Sequence, residues 1–159
     1  MPLDYFYTPV GLKLDLNTVV DEIIRYIEIV PDDTYTVIIG TDSVNHVGVD
    51  FVSAVVVYRL GHGGRFFWKR VQENKKYTLR NRIYQEALMS LKLAESLVAS
   101  FAEKNFTNFN FEIHVDIGNN GPTRELIQEI TGMIRGSGFN VKTKPESYGA
   151  SSVADRLLK

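Results

Sequence analysis

A chain of 159 residues with 44% hydrophobic and 23% charged side chains has the size and balance of one globular domain with a substantial core. It has no cysteine and a net charge of −1, which excludes a disulfide framework, a thiolate metal site and a cysteine nucleophile, and makes a reducing cytoplasm the expected location. No run approaches the roughly 18 apolar residues of a membrane span, and residues 1–11 carry Asp4 without a basic segment ahead of an apolar core, so they do not read as a secretory signal.

Asp15 or Asn17 can cap a first helix, in which Asp21 and Glu22 suit the first turn and Val20, Ile23, Ile24 and Ile27 form an apolar stripe. Pro31-Asp32-Asp33 stops it. Tyr35-Thr36-Val37-Ile38-Ile39-Gly40-Thr41-Asp42-Ser43 then reads as a central strand buried on both faces and ending on a carboxylate. An ionised carboxylate is costly to bury unless it is paired or binds a metal, so Asp42 is either a strand-end residue touching solvent or part of a site. A turn around Asn45 to Asp50 leads to a second strand, Phe51 to Tyr58, and Gly61-His62-Gly63-Gly64 turns the chain into a third, Arg65 to Val71. Short turns make these an antiparallel meander, with its charged third member expected at the sheet edge. The glycine run lies in a hairpin rather than between strand and helix, so it is no dinucleotide fingerprint.

Leu79 to about Lys104 is the longest periodic helix, with Ile83, Ala87, Ser90, Ala94, Leu97 and Phe101 on its packing sector. Phe109 to Asp116 alternates apolar and polar residues as a strand does. Gly121-Pro122 is expected to open a helix buried through Leu126, Ile127, Ile130, Met133 and Ile134, and Gly136-Ser137-Gly138 to close it. Phe139 to Lys144 makes a short fifth strand, Lys144-Pro145 breaks it, and Ala150 to Lys159 reads as a final helix. This order predicts an α/β fold: a mixed five-stranded sheet, formed by a three-strand antiparallel meander and then alternating helices and strands, with helices on both faces and an additional N-terminal helix. Residues 1–34 are the extension and 35–159 the core of a single domain.

Charge is unevenly spread. Residues 1–58 hold nine acids against Lys13 and Arg25, whereas 59–82 hold eight bases against Glu73. Within that basic segment Arg65, Lys69, Arg70, Lys75, Lys76, Arg80 and Arg82, interleaved with Phe66, Phe67, Trp68 and Tyr77, are candidates for tracking a nucleic acid. The other reading is a solvated hairpin whose aromatics pack on the long helix.

Acidic residues recur at matching places. Asp116 closes the fourth strand as Asp42 closes the first, and if the two strands are adjacent and parallel, both sit where open α/β sheets bind ligands. Glu86 lies within roughly 20° of Leu79, Leu93 and Leu97 around the long helix, inside its apolar sector. Asp155 falls on the final helix. Crowded carboxylates raise one another's pKa values unless a divalent cation sits among them, and oxygen-only ligands suit Mg²⁺ or Mn²⁺ rather than zinc. His114 shares a strand face with Asp116, as an assistant in proton transfer or as a satisfied core histidine. Asp116-Ile117-Gly118-Asn119-Asn120-Gly121-Pro122-Thr123 is similar to the phosphate loop of actin-like and sugar kinases, which need two large domains; Asn119, Asn120 and Thr123 remain candidates to line a site mouth.

Asp on the first strand, Glu on the helix after the meander, Asp ending the fourth strand and Asp on the last helix resemble the DEDD pattern of ribonuclease H-like nucleases. More closely, Ile39-Gly40-Thr41-Asp42-Ser43, His114-Val115-Asp116-Ile117-Gly118 and Lys144-Pro145 through Ala150-Ser151-Ser152-Val153-Ala154-Asp155-Arg156 look like a family of small bacterial ribonuclease H-like proteins. The resemblance implies Asp42 as a carboxylate bridging two Mg²⁺ or Mn²⁺ ions about 3.5–4 Å apart, with Glu86, Asp116 and Asp155 completing their shells, Ser43 and Ser151 beside them, and phosphodiester hydrolysis as the activity. The alternative is a non-catalytic module that binds nucleic acid or protein on the same fold.

Overall fold

The computed structural model describes residues 5–119 and 121–144; Asn120, Ser151, Asp155 and the final helix expected over 150–159 lie outside the described residues. Two short strands that periodicity does not predict come first, β1 (Tyr5–Tyr7) and β2 (Lys13–Asp15), an antiparallel hairpin in register Tyr5↔Asp15. At three residues each they are too short to show an alternation, yet Phe6 is fully buried. Helix α1 (Leu16–Ile29) starts at Asp15, whose carboxylate accepts from the Thr18 amide at 2.8 Å, and buries Val19, Val20, Ile23 and Ile27. Asn17, the other possible cap, instead accepts from Ser100 Oγ.

The meander is β3 (Tyr35–His46), β4 (Gly48–Arg59) and β5 (Gly63–Glu73). All three run longer than their apolar cores, because the hairpin tips at Val47 and Gly61-His62 sit farther out than composition suggests and cross-strand pairing continues to them. Helix α2 (Leu79–Glu103) is capped by Thr78 and buries the expected sector from Ile83 to Phe101. Strand β6 (Asn110–His114) stops two residues short of Asp116. The next helix begins later than Gly121-Pro122: a 3-10 turn at Arg124–Leu126 leads into α3 (Ile127–Gly136). The Gly136-Ser137-Gly138 stop is observed, with Gly138 at φ +93 and the Ser137, Gly138 and Phe139 amides returning to the last carbonyls. Strand β7 (Asn140–Lys142) is the last described element.

These strands form a seven-stranded sheet in the order β2-β1-β5-β4-β3-β6-β7, antiparallel through the meander and parallel at β3–β6 and β6–β7. The five predicted strands are its contiguous part, and the hairpin adds two. Strand β5 is therefore not the outer edge: Tyr7 pairs with Trp68 and their rings pack at 5.1 Å, so an aromatic pair covers an edge that its charges alone suggested was bare. Among the described residues the three helices pack on one face, in a core joining α1, α2 and α3 to Val37, Ile39, Val55, Val57 and Ile113. On the other face Ile38, Val52 and Ala54 form a smaller buried patch with Trp68 beside it. Helices on both faces are thus not observed within the described chain. No described helix is long and apolar enough to cross a membrane.

Candidate functional site

Parallel pairing of β3 with β6 runs from Thr36↔Asn110 to Gly40↔His114. Two residues farther along each strand stand Asp42 and Asp116, so the register brings both acids to the same level. Asp42 is not the end of its strand, however. It pairs with Val52 and β3 continues to His46, while β6 has already stopped. The carboxylate therefore marks a notch where β3 keeps its antiparallel neighbour and loses its parallel one, the kind of place where α/β sheets open to ligands. Asp42 is half-buried and accepts from the Ser43 amide at 2.9 Å.

Thr41 and Ser43 alternate with Asp42 and turn toward α2. Thr41 Oγ1 lies 2.8 Å from both Ser53 Oγ and Ser90 Oγ, a buried hydroxyl triangle tying β3, β4 and α2 together. One turn before Ser90, the half-buried Glu86 accepts a hydrogen bond from Ser43 Oγ. Burial pushes the Glu86 carboxyl up to about 8; the Ser43 hydrogen bond opposes the rise, the negative charges of Asp42 and Asp116 add to it, and Arg82 works against it. The apolar-sector placement of this glutamate on its helix thus turns it toward the sheet, where it meets Ser43.

Glu86 and Asp116 line one narrow crevice of about 10 Å³, with Thr41, Ser90 and the buried Ile83, Ile117 and Ile130 as its walls. Asp116 Oδ1 is 3.0 Å from Lys144 Nζ. The lysine reaches it because its backbone amide donates to Ile117 O at 2.8 Å and its stem crosses Gly118, where an added Cβ would stand 2.9 Å from Lys144 Cβ.

Other expected site residues separate. His114 is buried, and its Nε2 lies 3.0 Å from Glu112 Oε1, two residues back on the same face. Burial lowers its pKa, with Glu112 opposing, so at neutral pH the ring keeps a single proton, which must sit on Nε2 to make that bond. It is a satisfied histidine within the sheet. Asn119 is exposed, and Thr123 is half-buried ahead of the 3-10 turn without capping it.

The basic set divides. Arg65 lies over the Tyr26 ring on α1, Lys69 over Phe6, and Arg70 pairs with the buried Asp50 at 3.6 Å. Arg80 bridges to Glu129 at 2.9 Å, and Arg82 lies one turn before Glu86. Lys75 and Lys76 line a cleft of about 540 Å³ with Asn45, His46, Val47, Asn74 and Tyr77, at the end of β3 beyond Asp42. Most of the aromatics pack internally: Phe67 is core, and Tyr77 meets Phe51 edge-on at 5.6 Å.

As a cation site the donor set fits Mg²⁺ or Mn²⁺ in kind: oxygen-donor carboxylates, with Asp42 and Asp116 each within electrostatic reach of Glu86, which burial first and then those two charges drive toward neutrality. Among the described residues no three acids or histidines are close enough to form a ready cage. Glu86 is engaged by Ser43 and Asp116 by Lys144.

Residues 18–159 match the family Ribonuclease H-like. The chain belongs to that family. It is also 30% identical over 167 aligned positions to the uncharacterized protein YkuK of Bacillus subtilis (strain 168), an alignment spanning 97% of this chain and 96% of that protein. Within this ribonuclease H-like chain, periodicity overlooked two features of the site. Thr41, Ser53 and Ser90 each interrupt an otherwise apolar buried set, and that interruption was the available signal. Lys144 had none in the periodicity, since what brings it to Asp116 is the parallel run of the chain from β7 alongside β6, in which the Val115 amide donates to Lys142 O and the Lys144 amide to Ile117 O.

Proposed function

We propose that this ribonuclease H-like chain is a divalent-cation-dependent nuclease that hydrolyses phosphodiester bonds of RNA, RNA–DNA hybrid or DNA. The supporting observation is the Glu86 carboxyl, enclosed beside Asp42 and Asp116 and pushed up to about 8. Three such groups cannot all stay ionised without a cation among them. Asp42, Glu86 and Asp116 would hold the ions, with Asp155 as the proposed fourth carboxylate. Bound cations in such sites lower the pKa of an attacking water and neutralise the leaving oxygen.

The protein's own groups prepare that chemistry. Ser43 fixes the Glu86 carboxyl, the hydroxyl triangle holds β3 against α2, and the notch beside β6 leaves Asp42 reachable. The lysine-lined cleft begins three residues past Asp42, about 10 Å along the strand, a suitable distance for a polyanion whose backbone crosses the carboxylates. His114 Nε2 is held by Glu112 Oε1, and the proposed reading assigns it no proton transfer.

RNA, RNA–DNA hybrid, single-stranded DNA and branched DNA should be offered to the protein with Mg²⁺ and with Mn²⁺, beside Asp42→Asn. Cleavage of at least one substrate by the native protein, lowered at least a hundredfold by the substitution, is the expected result. No cleavage, or equal cleavage by both, would overturn the reading. One observation favours a non-catalytic binding module instead: Asp116 already has a protein cation, Lys144, beside it.

A further inference from the structure

Lys144 is the residue on which the two readings part. Its ammonium stands 3.0 Å from Asp116 Oδ1, on the strand-end acid level with Asp42. The placement is built rather than incidental. The backbone of Lys144 is fixed by its hydrogen bond to Ile117 O, and its stem passes across Gly118 so closely that any side chain there would displace it. Ile117 is fully buried, so the anchor belongs to the core. The side chain itself is 58% exposed and Asp116 is 38% exposed. An exposed ion pair of this kind is weak, and a lysine on a flexible stem can leave while its backbone stays.

We propose that Lys144 is a positioning residue of the site: its ammonium is the resident counter-ion of Asp116, and it competes with a divalent cation for that carboxylate. This rests on the nuclease reading in taking Asp116 to be a cation ligand. The chemistry is an exchange of one cation for another. A divalent ion binding Asp116 displaces an ammonium, which then stands free at the mouth of the site, where a phosphate oxygen is the anion available to it. Lys144 therefore lowers cation affinity in the absence of nucleic acid and keeps a positive charge on hand when the acid has been taken.

The test is Mn²⁺ binding to the full chain, freed of metal with chelator, followed by calorimetry and by the electron paramagnetic resonance of free Mn²⁺, without nucleic acid. Lys144→Met is expected to bind Mn²⁺ roughly tenfold more tightly, from the lost repulsion between an ammonium and a divalent ion on one carboxylate. Lys144→Arg should retain native affinity and Asp116→Asn should bind more weakly than either. Lys144→Gln serves as a second neutral variant should the methionine protein fail to fold. Equal Mn²⁺ affinity in the native and neutral variants would overturn the proposal and leave the nuclease reading intact. Mn²⁺ binding by neither would overturn both, and binding by the neutral variant alone would support the competition in its strongest form.

Discussion

Because burial beside Asp42 and Asp116 pushes the Glu86 carboxyl up to about 8, the folded chain holds a proton that the unfolded chain releases near its ordinary value of 4.5. Stability from this group is fully present below about pH 4.5 and is lost as the pH rises through about 8. In chelator, thermal unfolding of the native protein should shift downward between pH 5 and pH 8.5, by an amount on the order of a few kcal/mol at most. Glu86→Gln should lose this downward shift over the same interval and be more stable than the native chain at its upper end; parallel curves would show that the glutamate is solvated. His114 acts in the opposite sense. Its lowered pKa contributes stability above its ordinary range that is lost as the pH falls through the folded value.

Among elements, the contact between β3, β4 and α2 depends on the hydroxyl triangle as well as on apolar packing. Thr41→Val keeps the shape but removes an oxygen bonded to both Ser53 and Ser90. Leaving two buried hydroxyls short of a partner should cost about 1–3 kcal/mol in urea unfolding, whereas Ser90→Ala, which leaves the Thr41–Ser53 bond in place, should cost nearer 1 kcal/mol. Equal costs would mean that the hydroxyls find other partners. The N-terminal hairpin can be judged in the same way. Phe6 is buried in the main core against α1 and α2, so Phe6→Ala is expected to cost about 3–5 kcal/mol. A loss below about 1 kcal/mol would show the hairpin to be an ornament on β5.

Across the whole molecule, folding scatters a compact basic stretch. Arg65 and Arg70 are five residues apart on β5, about 17 Å, and stand on opposite faces of the sheet; each has an aromatic ring or acid beside it. Lys75 and Lys76 alone reach the cleft beyond Asp42. Binding of a single-stranded oligonucleotide in chelator should therefore weaken on replacing Lys75 and Lys76 with alanine, and the slope of log affinity against log salt should flatten by about 1.4, the value for two phosphate contacts. Arg65→Ala should leave the slope unchanged. A slope insensitive to the lysine pair would remove the cleft from the binding surface.

Local pattern was enough for the order of the five core strands, the packing sector of α2 and the inward aim of Glu86, because burial imposes a period on each element that survives in its residues. The level placement of Asp42 and Asp116 was legible only on the condition that their strands are adjacent and parallel, and the pairing of β3 with β6 meets that condition. What pattern could not carry was where pairing stops. Asp42 looks like a strand end because apolar character ends there, but β3 continues to His46 on pairing with β4 alone. Hydrogen-bonded pairing depends on the partner strand and the turn, not on hydrophobicity. The same limit hid the three-residue strands of the hairpin, and it hid Lys144, whose place beside Asp116 depends on how β7 lies along β6 and on the absence of a side chain at Gly118.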